Sequence, residues 1–128
     1  IKDIMFSGAK VPIVDLNASL ETVILEITKK RFGCTCVVDG DGHLAGLITD
    51  GDLRRLWQSG VNHKEVVAEQ IMNPTPKVII ENAFAKTAFQ MMEQHNIMQV
   101  VVIDDDRNPV GMVHLHDLLE AGIGSLAS

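Results

Sequence analysis

The sequence predicts an α+β fold in which one β-α-β-β-α unit occurs twice, with pseudo-two-fold symmetry between the copies. The first observation is a repeat, because Gly46 and Gly111 lie 65 positions apart and the same offset relates further apolar and acidic positions. A duplicated unit explains one constant offset across several elements. The second observation is a pair of apolar sets with the i, i+3, i+4, i+7 spacing of one helical face. These sets are Leu20, Val23, Ile24 and Ile27, and Ala85, Ala88, Phe89 and Met92.

Each element of the first copy has a local signal. Pro12 disfavours a helix at the start of the copy. Ser19 is a preferred N-cap residue, and Gly33 is a preferred residue after a helix C-terminus. The Asp-Gly-Asp-Gly run at residues 39–42 predicts a hairpin turn. The predicted elements are a strand at residues 11–14, a helix from Ser19 to about Arg31, strands at 34–38 and 44–48, and a helix at 51–58.

The second copy repeats this order. Asn82 is predicted to cap its first helix, and Pro109 is tolerated at the start of a strand. The predicted elements are a strand at residues 77–80, a helix at 83–95, strands at 100–103 and 110–113, and a helix at 116–121, with a linking helix at 65–70. We expect residues 1–66 to form the first motif, residues 67–123 the second, and residues 124–128 a flexible tail.

Composition excludes several classes of function. The chain of 128 residues is 46% hydrophobic, which is enough for a packed core. Its net charge of −6 disfavours a nucleic acid partner, and no apolar run approaches the ~20 residues of a membrane span. Cys34 and Cys36 are too close for an ordinary structural disulfide, and we interpret them as buried residues in a reducing cytoplasm. The opening at Ile1 indicates a piece of a longer protein.

Several segments carry a family resemblance. VVDGDGHLAGLITDGDL and its echo VVIDDDRNPVGMVHLHDLL resemble a pair of CBS domains, together called a Bateman module. ITDGDLRR, the opening DIMFSGAKVPIV and the ending HLHDLLEAGI resemble the C-terminal regulatory part of D-arabinose 5-phosphate isomerases of the KpsF/GutQ type. In that family a sugar-isomerase (SIS) domain precedes the CBS pair and carries the catalysis. Its reaction supplies the synthesis of Kdo, a sugar of lipopolysaccharide or capsule. The resemblance therefore implies a regulatory fragment that is not itself an enzyme.

The resemblance also implies a ligand site at the junction between a strand and a helix. CBS pairs that bind adenine nucleotides use the pattern Gly-h-x-Ser/Thr-x-x-Asp, where h is apolar, and residues 46–52 match it. In this role Asp52 would accept hydrogen bonds from ribose hydroxyls, while Thr49 and the helix N-terminus would meet a phosphate. Thr-x-x-Asp is equally typical of a capping box, which needs no ligand. Both interpretations stay open, because a ligand can use a capped helix end.

Further candidates follow from the family pattern. The backbone around Val11, Ile13 and Val14 would contact a flat ring, and Thr35 would line the same cleft. Arg55 follows the junction and could reach a phosphate from the rim. A solvated helix surface is the alternative interpretation of that arginine.

The second copy departs from the pattern. Asp117 occupies the position of the aspartate, but His114 stands where Ser or Thr is expected. We favour an N-cap formed by imidazole over a metal site, although a histidine proton donor would suit a sugar-acid or phosphate ligand. The remaining expectations are a solvated acidic turn at residues 104–106 and core packing for Met91, Met92, Met98 and Met112.

Three functions compete at this point. The first is a regulatory module that needs no cofactor and senses an adenine nucleotide or the pathway product CMP-Kdo in the cleft between the copies. The second is a structural module that assembles a homodimer of CBS pairs and has no physiological ligand. The third, catalysis, is the weakest, because the spacing supports no set of nucleophile, base and orienting group.

Overall fold

The structure is a computed structural model that describes residues 6–7, 11–30 and 32–122. These residues divide into two compact units, one formed by residues 11–76 and the other by residues 77–122 together with 6–7. The chain order is β1 (Phe6–Ser7), β2 (Ile13–Asp15), α1 (Leu20–Lys30), β3 (Cys34–Val38), β4 (Leu44–Thr49), α2 (Asp50–Gln58), a 3-10 helix (His63–Glu65), α3 (Ala68–Ile71), β5 (Val78–Ile80), α4 (Ala85–His95), β6 (Gln99–Ile103), β7 (Pro109–His114) and α5 (Leu115–Glu120).

The first unit contains a three-stranded sheet in the order β2-β3-β4. β2 runs parallel to β3, and β3 forms an antiparallel hairpin with β4. The apolar face of α1 is the predicted one, since Leu20, Val23 and Ile27 are all buried. Val23 and Ile27 share a core with residues of all three strands, which fixes α1 on one face of the sheet.

The second unit repeats the arrangement. Its sheet has the order β1-β7-β6-β5, with β5 parallel to β6 and β6 antiparallel to β7. Ala88, Phe89 and Met92 of α4 are buried in a core with Val113 and Leu118. The predicted fold class is therefore confirmed, with β2-α1-β3-β4-α2 and β5-α4-β6-β7-α5 as the two copies.

The segment before each copy pairs with the last strand of the other copy. Phe6, ahead of the first copy, pairs with Met112 of β7. Asn73, ahead of the second copy, pairs with Leu47 of β4, and the two residues exchange backbone hydrogen bonds of 3.0 and 2.8 Å. Leu47 and Met112 are related by the repeat offset, so both last strands gain an equivalent antiparallel neighbour.

Signals that depend on short-range chemistry gave correct predictions. The Ser19 hydroxyl accepts a hydrogen bond from the Thr22 N–H at 3.2 Å, as an N-cap should. Gly33 has a φ of 73°, which glycine adopts at little cost after a helix. Pro109 begins β7, where its missing N–H is tolerated.

Four predictions about local structure were wrong, and the first two concern the start of β2 and the cap of α4. β2 begins at Ile13 rather than at residue 11, since Pro12 contributes only its carbonyl, which accepts the Cys36 N–H. Asn82 does not cap α4, because it lies in the turn closed by the bond from the Ala83 N–H to the Ile80 carbonyl.

The predicted helix at residues 65–70 is divided into a 3-10 helix and α3, because Val67 between them pairs with Ser19. Met98 does not fill the core, since it lies in the loop before β6 and is 55% exposed. Met92 and Met112 are buried as expected.

The two hairpin turns are organised by equivalent carboxylates, which predicts a pH dependence of stability. Hydrogen bonds from the backbone and side chain of Asn108 hold the pKa of Asp104 below its ordinary value of 3.8, and the backbone N–H of His43 does the same for Asp39. A lowered pKa contributes stability that is complete above the ordinary value and is lost as the pH falls through the lowered one. We therefore expect the urea concentration at the midpoint of unfolding to decrease as the pH is lowered below about 4.

The contribution of one turn can be isolated by mutation. Asp104→Asn should weaken the fall of the urea midpoint with acidification, while Asp105→Asn, which changes an exposed neighbour of the same charge, should leave it as in wild type. Identical acid profiles for Asp104→Asn and wild type would contradict this assignment.

Candidate functional site

The junction between β4 and α2 is a complete capping box. Thr49 is the N-cap, with φ −110° and ψ 167°. Its hydroxyl oxygen accepts the Asp52 N–H at 3.2 Å, and the Asp52 carboxylate accepts the Thr49 N–H at 2.9 Å and the Thr49 hydroxyl at 3.1 Å. Both carboxylate bonds from Thr49 end on Oδ2. The capping interpretation of Thr-x-x-Asp is thus confirmed, and the ligand interpretation stays a prediction.

Arg55 closes over this junction. Its guanidinium pairs with Oδ1 of Asp52, and the arginine side chain is 70% exposed while that of Asp52 is 17% exposed. A methyl group built on Gly51 would lie 3.5 Å from Arg55 Nη1 and 3.5 Å from Thr49 Oγ1. The guanidinium therefore lies beside the first turn of α2, over a residue without a side chain. Arg54, the other arginine of this helix, is exposed.

The sheet brings the other predicted residues to the same edge. β2 and β3 both start at this edge and β4 ends there, since Cys34 pairs with Thr49. The Pro12 carbonyl accepts the Cys36 N–H at 2.9 Å, which ties the start of β2 to that of β3. Residues 11–13, the start of β3 and the capped end of α2 are therefore neighbours along one sheet edge.

The side chains predicted to line this edge are mostly turned inward. Val11, Val14 and Thr35 are buried, and the Thr35 hydroxyl donates to the Cys36 carbonyl at 3.2 Å. Ile13 is 37% exposed, but its N–H donates to the Glu26 carboxylate at 3.0 Å. The predicted contact between the backbone of Val11 and Val14 and a ligand stays a prediction.

Sequence reasoning missed the roles of Glu26 and Gly51. Glu26 of α1 accepts a hydrogen bond from the backbone of β2. The two residues are 13 positions apart, so only the folded chain brings them together. Gly51 leaves the space that Arg55 covers. The available signal for Gly51 was its place one residue before Asp52, within the first turn of a capped helix.

The two cysteines of β3 are structural. Both are fully buried and reduced. Burial raises the pKa of the Cys36 thiol to about 12, with a smaller contribution from the neighbouring Cys34. A thiol of such high pKa is a poor nucleophile at neutral pH, which agrees with the predicted packing role.

The second junction, between β7 and α5, uses imidazole in place of a hydroxyl. His114 is the N-cap, and its Nδ1 accepts the His116 N–H at 3.0 Å. This confirms the predicted imidazole cap. Asp117 lies in the first turn of α5, and Nε2 of His116 lies 3.1 Å from a carboxylate oxygen of Glu120 one turn later. His114 and Asp117 are thus placed as Thr49 and Asp52 are, but with different hydrogen bonds.

Other features bear on cofactors and membranes. In the first hairpin turn, Asp39, Asp41 and His43 bring potential ligand atoms within 4.8 Å of one another. Oδ1 of Asp39 already accepts the N–H groups of Asp41 and His43, so the arrangement is that of a capped turn. Over the described ranges, no helix combines the length and apolarity that crossing a bilayer requires.

Two β-α-β-β-α units, each ending in a strand-to-helix junction with an aspartate three residues after the N-cap, place the chain among duplicated α+β binding modules. The chain belongs to the CBS domain family, whose model matches residues 1–59 and 67–124.

Curated relatives include arabinose 5-phosphate isomerases. KdsD of Pseudomonas aeruginosa is 40% identical over 123 residues, and KdsD of Escherichia coli K12 is 36% identical over 123 residues. The matches cover 96% of this chain but only 38% and 37% of those relatives. The chain therefore spans less than half the length of the curated relatives that it matches.

Solved structures of CBS pairs share the fold. CBSX2 from Arabidopsis thaliana in complex with AMP superposes with a TM-score of 0.79 at 18% identity, covering 98% of this chain and 96% of that one. The CBS domain of a bacterial CNNM/CorC family Mg²⁺ transporter in complex with ATP gives 0.78 at 21% identity, covering 96% and 86%. At these identities the likeness concerns the fold.

Proposed function

We propose that this chain is the regulatory, non-catalytic CBS pair of a cytoplasmic sugar-phosphate isomerase, and that it binds a nucleotide or nucleotide-sugar at the junction of Thr49 and Asp52. The observation that carries the proposal is the position of the Asp52 carboxylate, held by Thr49 in the first turn of α2 with Oδ1 directed to Arg55. The KdsD relatives support the isomerase assignment. The AMP and ATP bound to structural neighbours support a nucleotide ligand.

The hydrogen bonds at the junction leave capacity for a ligand. Oδ2 of Asp52 accepts two hydrogen bonds from Thr49, which fills its lone pairs. Among the residues that the structure describes, only Arg55 pairs with Oδ1, so this oxygen retains an acceptor site for a ribose hydroxyl. The backbone around Val11, Ile13 and Val14, with Thr35 beneath it, would lie along a planar base, and His114 and Asp117 would form the weaker counterpart in the second copy.

In the parent protein, an SIS domain would carry the isomerase reaction that supplies Kdo for lipopolysaccharide or capsule. The two motifs would be residues 1–66 and 67–123, and two CBS pairs would associate as a homodimer. A ligand regulates the attached domain only if it binds one conformation of the module more tightly than another. An adenine nucleotide or CMP-Kdo, the activated product of the pathway, fits this role.

A structural assembly module is the second candidate. The specific observation in its favour is that the capping box at Thr49 and Asp52 is complete without any ligand. In that case the junction stabilises α2 and nothing more.

Calorimetry on matched variants separates the two candidates. We expect AMP, ATP or CMP-Kdo to release heat on binding to the wild-type chain. Asp52→Asn should weaken that binding by about ten- to hundredfold, because it removes a charged acceptor of ribose hydroxyls. Asp50→Asn is the control, since it removes one charge from the same helical turn at an exposed position.

Thermal unfolding of both variants reports whether the fold survives. Equal ligand affinity in Asp52→Asn and Asp50→Asn, or no heat with any of the three ligands, would contradict sensing at this junction and leave the assembly function.

A further inference from the structure

A cavity of about 540 Å³ in the first unit shares no residue with the junction of Thr49 and Asp52. One side of α1 and the 3-10 helix of the linking segment line it, so we call it the linker cavity. The residues that line it include Leu20, Glu21, Ile24, Leu25, His63 and Lys64. We infer that the linker cavity binds an apolar amino acid, which it holds by the ammonium group, the carboxylate and the side chain.

The wall that α1 contributes is apolar. It consists of Leu20, Ile24 and Leu25, and Leu25 is 63% exposed. Covering this leucine with an apolar side chain would remove hydrocarbon surface from water, which is favourable. The volume of the cavity lies in the range of small-molecule sites. The wall therefore suits the side chain of an apolar ligand of small size.

Two opposite charges face the same cavity. Glu21 lies in the first turn of α1 and Lys64 in the 3-10 helix, and both are exposed. Among the described residues, neither side chain takes part in an ion pair. A simple carboxylate would be repelled by Glu21 and a simple amine by Lys64. A zwitterion carries the complement of both charges, so it is the ligand that this cavity favours.

His63 provides a polar atom that lacks a partner. Its Nε2 is buried and forms no hydrogen bond, while its ring stacks on Trp57 of α2, with centroids 4.4 Å apart and 18° between the planes. A buried polar atom without a partner costs free energy. An amino acid carries donors and acceptors, so it can satisfy either tautomer of the imidazole. This atom therefore points to a polar ligand rather than to an apolar segment of a partner.

These groups are particular to the first copy. At the repeat offset, Lys86 stands at the position of Glu21 and Gln90 at that of Leu25. The charge and the apolar wall are thus not a general consequence of the β-α-β-β-α unit.

Calorimetry with L-leucine as the probe tests the ligand class. Wild type should bind L-leucine, while isocaproate, which lacks the ammonium group, and isoamylamine, which lacks the carboxylate, should bind at least about tenfold more weakly. No binding of L-leucine or L-phenylalanine, or equal affinity for the two singly charged analogues, would overturn the inference.

Matched variants test the two charges. Lys64→Gln and Glu21→Gln should each weaken L-leucine by about tenfold, since each removes one charged partner. Lys29→Gln and Glu65→Gln are the controls, because they remove like charges at exposed positions of the same two helices that do not line the cavity. Thermal unfolding confirms that the variants are folded. Equal affinity in Lys64→Gln and Lys29→Gln would overturn the inference.

NMR of the imidazole nitrogens locates the ligand. The signals of His63 should shift to saturation with L-leucine in wild type and respond only at higher concentration in Lys64→Gln. Signals of His63 that stay in place, together with self-association that Lys64→Gln weakens, would assign the cavity to contact between copies and overturn the inference. AMP affinity should be equal in Lys64→Gln and wild type, so this inference and the proposed nucleotide site succeed or fail separately.

Discussion

Replacing Gly46 by alanine should destabilise the first unit by about 2–4 kcal/mol, from overpacking and from weakened backbone hydrogen bonds. A Cβ on this residue would lie 2.5 Å from Met72 Sδ and 2.7 Å from the Asn73 carbonyl oxygen. The methionine side chain can rotate away, but the carbonyl belongs to the backbone that exchanges two hydrogen bonds with Leu47. The new methyl group therefore has to push the segment before the second copy away from β4.

Urea unfolding followed by the fluorescence of Trp57, which is the sole tryptophan and lies on α2 in the same unit, measures this loss. Gly40→Ala is the matched control, because a Cβ on Gly40 would meet nothing within 4 Å. We expect the control to change stability by less than about 1 kcal/mol. A Gly46→Ala protein as stable as Gly40→Ala would show that the pairing with residues 72–73 is not tight.

This glycine changes the interpretation of the family pattern in which it stands. From the sequence, Gly46 belongs to the same seven-residue pattern as Thr49 and Asp52, and it could equally have served ligand binding. The structure places it against the backbone of Asn73 instead, and Gly111, its repeat equivalent, pairs with Ser7 of β1. Such a role depends on a residue far along the chain, so no local signal could have indicated it.

The features that could be predicted from the sequence are those that depend on contacts between residues a few positions apart. The hairpins, the Ser19 cap and the imidazole cap of His114 all depend on side chains that bond to nearby backbone. The errors arose where a distant partner decides the outcome. Val67 interrupts the predicted linking helix because it pairs with Ser19, about fifty positions earlier in the chain.

The candidate site shows the same division. The Thr49–Asp52 box was available from the four-residue spacing, but the hydrogen bond from the Asp50 N–H to the Gly33 carbonyl was not, because it joins the start of α2 to the residue before β3. Equally, Arg55 could be named as a neighbour of the junction, while its contact with Asp52 depends on the rotamer that the structure adopts.

The differences between the junctions predict a gain of function. A triple variant, His114→Thr with His116→Gly and Glu120→Arg, should give the second copy the groups of the first, because Asp117 already stands three residues after the N-cap. Threonine would restore a hydroxyl cap, glycine would reproduce Gly51, and arginine would supply the cation that pairs with Asp52 in the first copy. We expect the calorimetric stoichiometry for AMP to rise from about one to about two per chain, if each repeat then offers one phosphate contact.

His114→Thr alone is the control, since it rebuilds the cap while Glu120 keeps its charge and His116 its side chain. It should raise the stability of the second unit by about 0.5–1 kcal/mol, through a better N-cap, without adding a second binding event. Two AMP molecules bound with equal affinity to the wild-type chain would contradict the proposal that the second junction is the weaker one. A folded triple variant that still binds one AMP molecule would mean that other groups make AMP prefer the first copy. The candidates are Thr35, which is buried and whose repeat equivalent is Val100, and the backbone before β2.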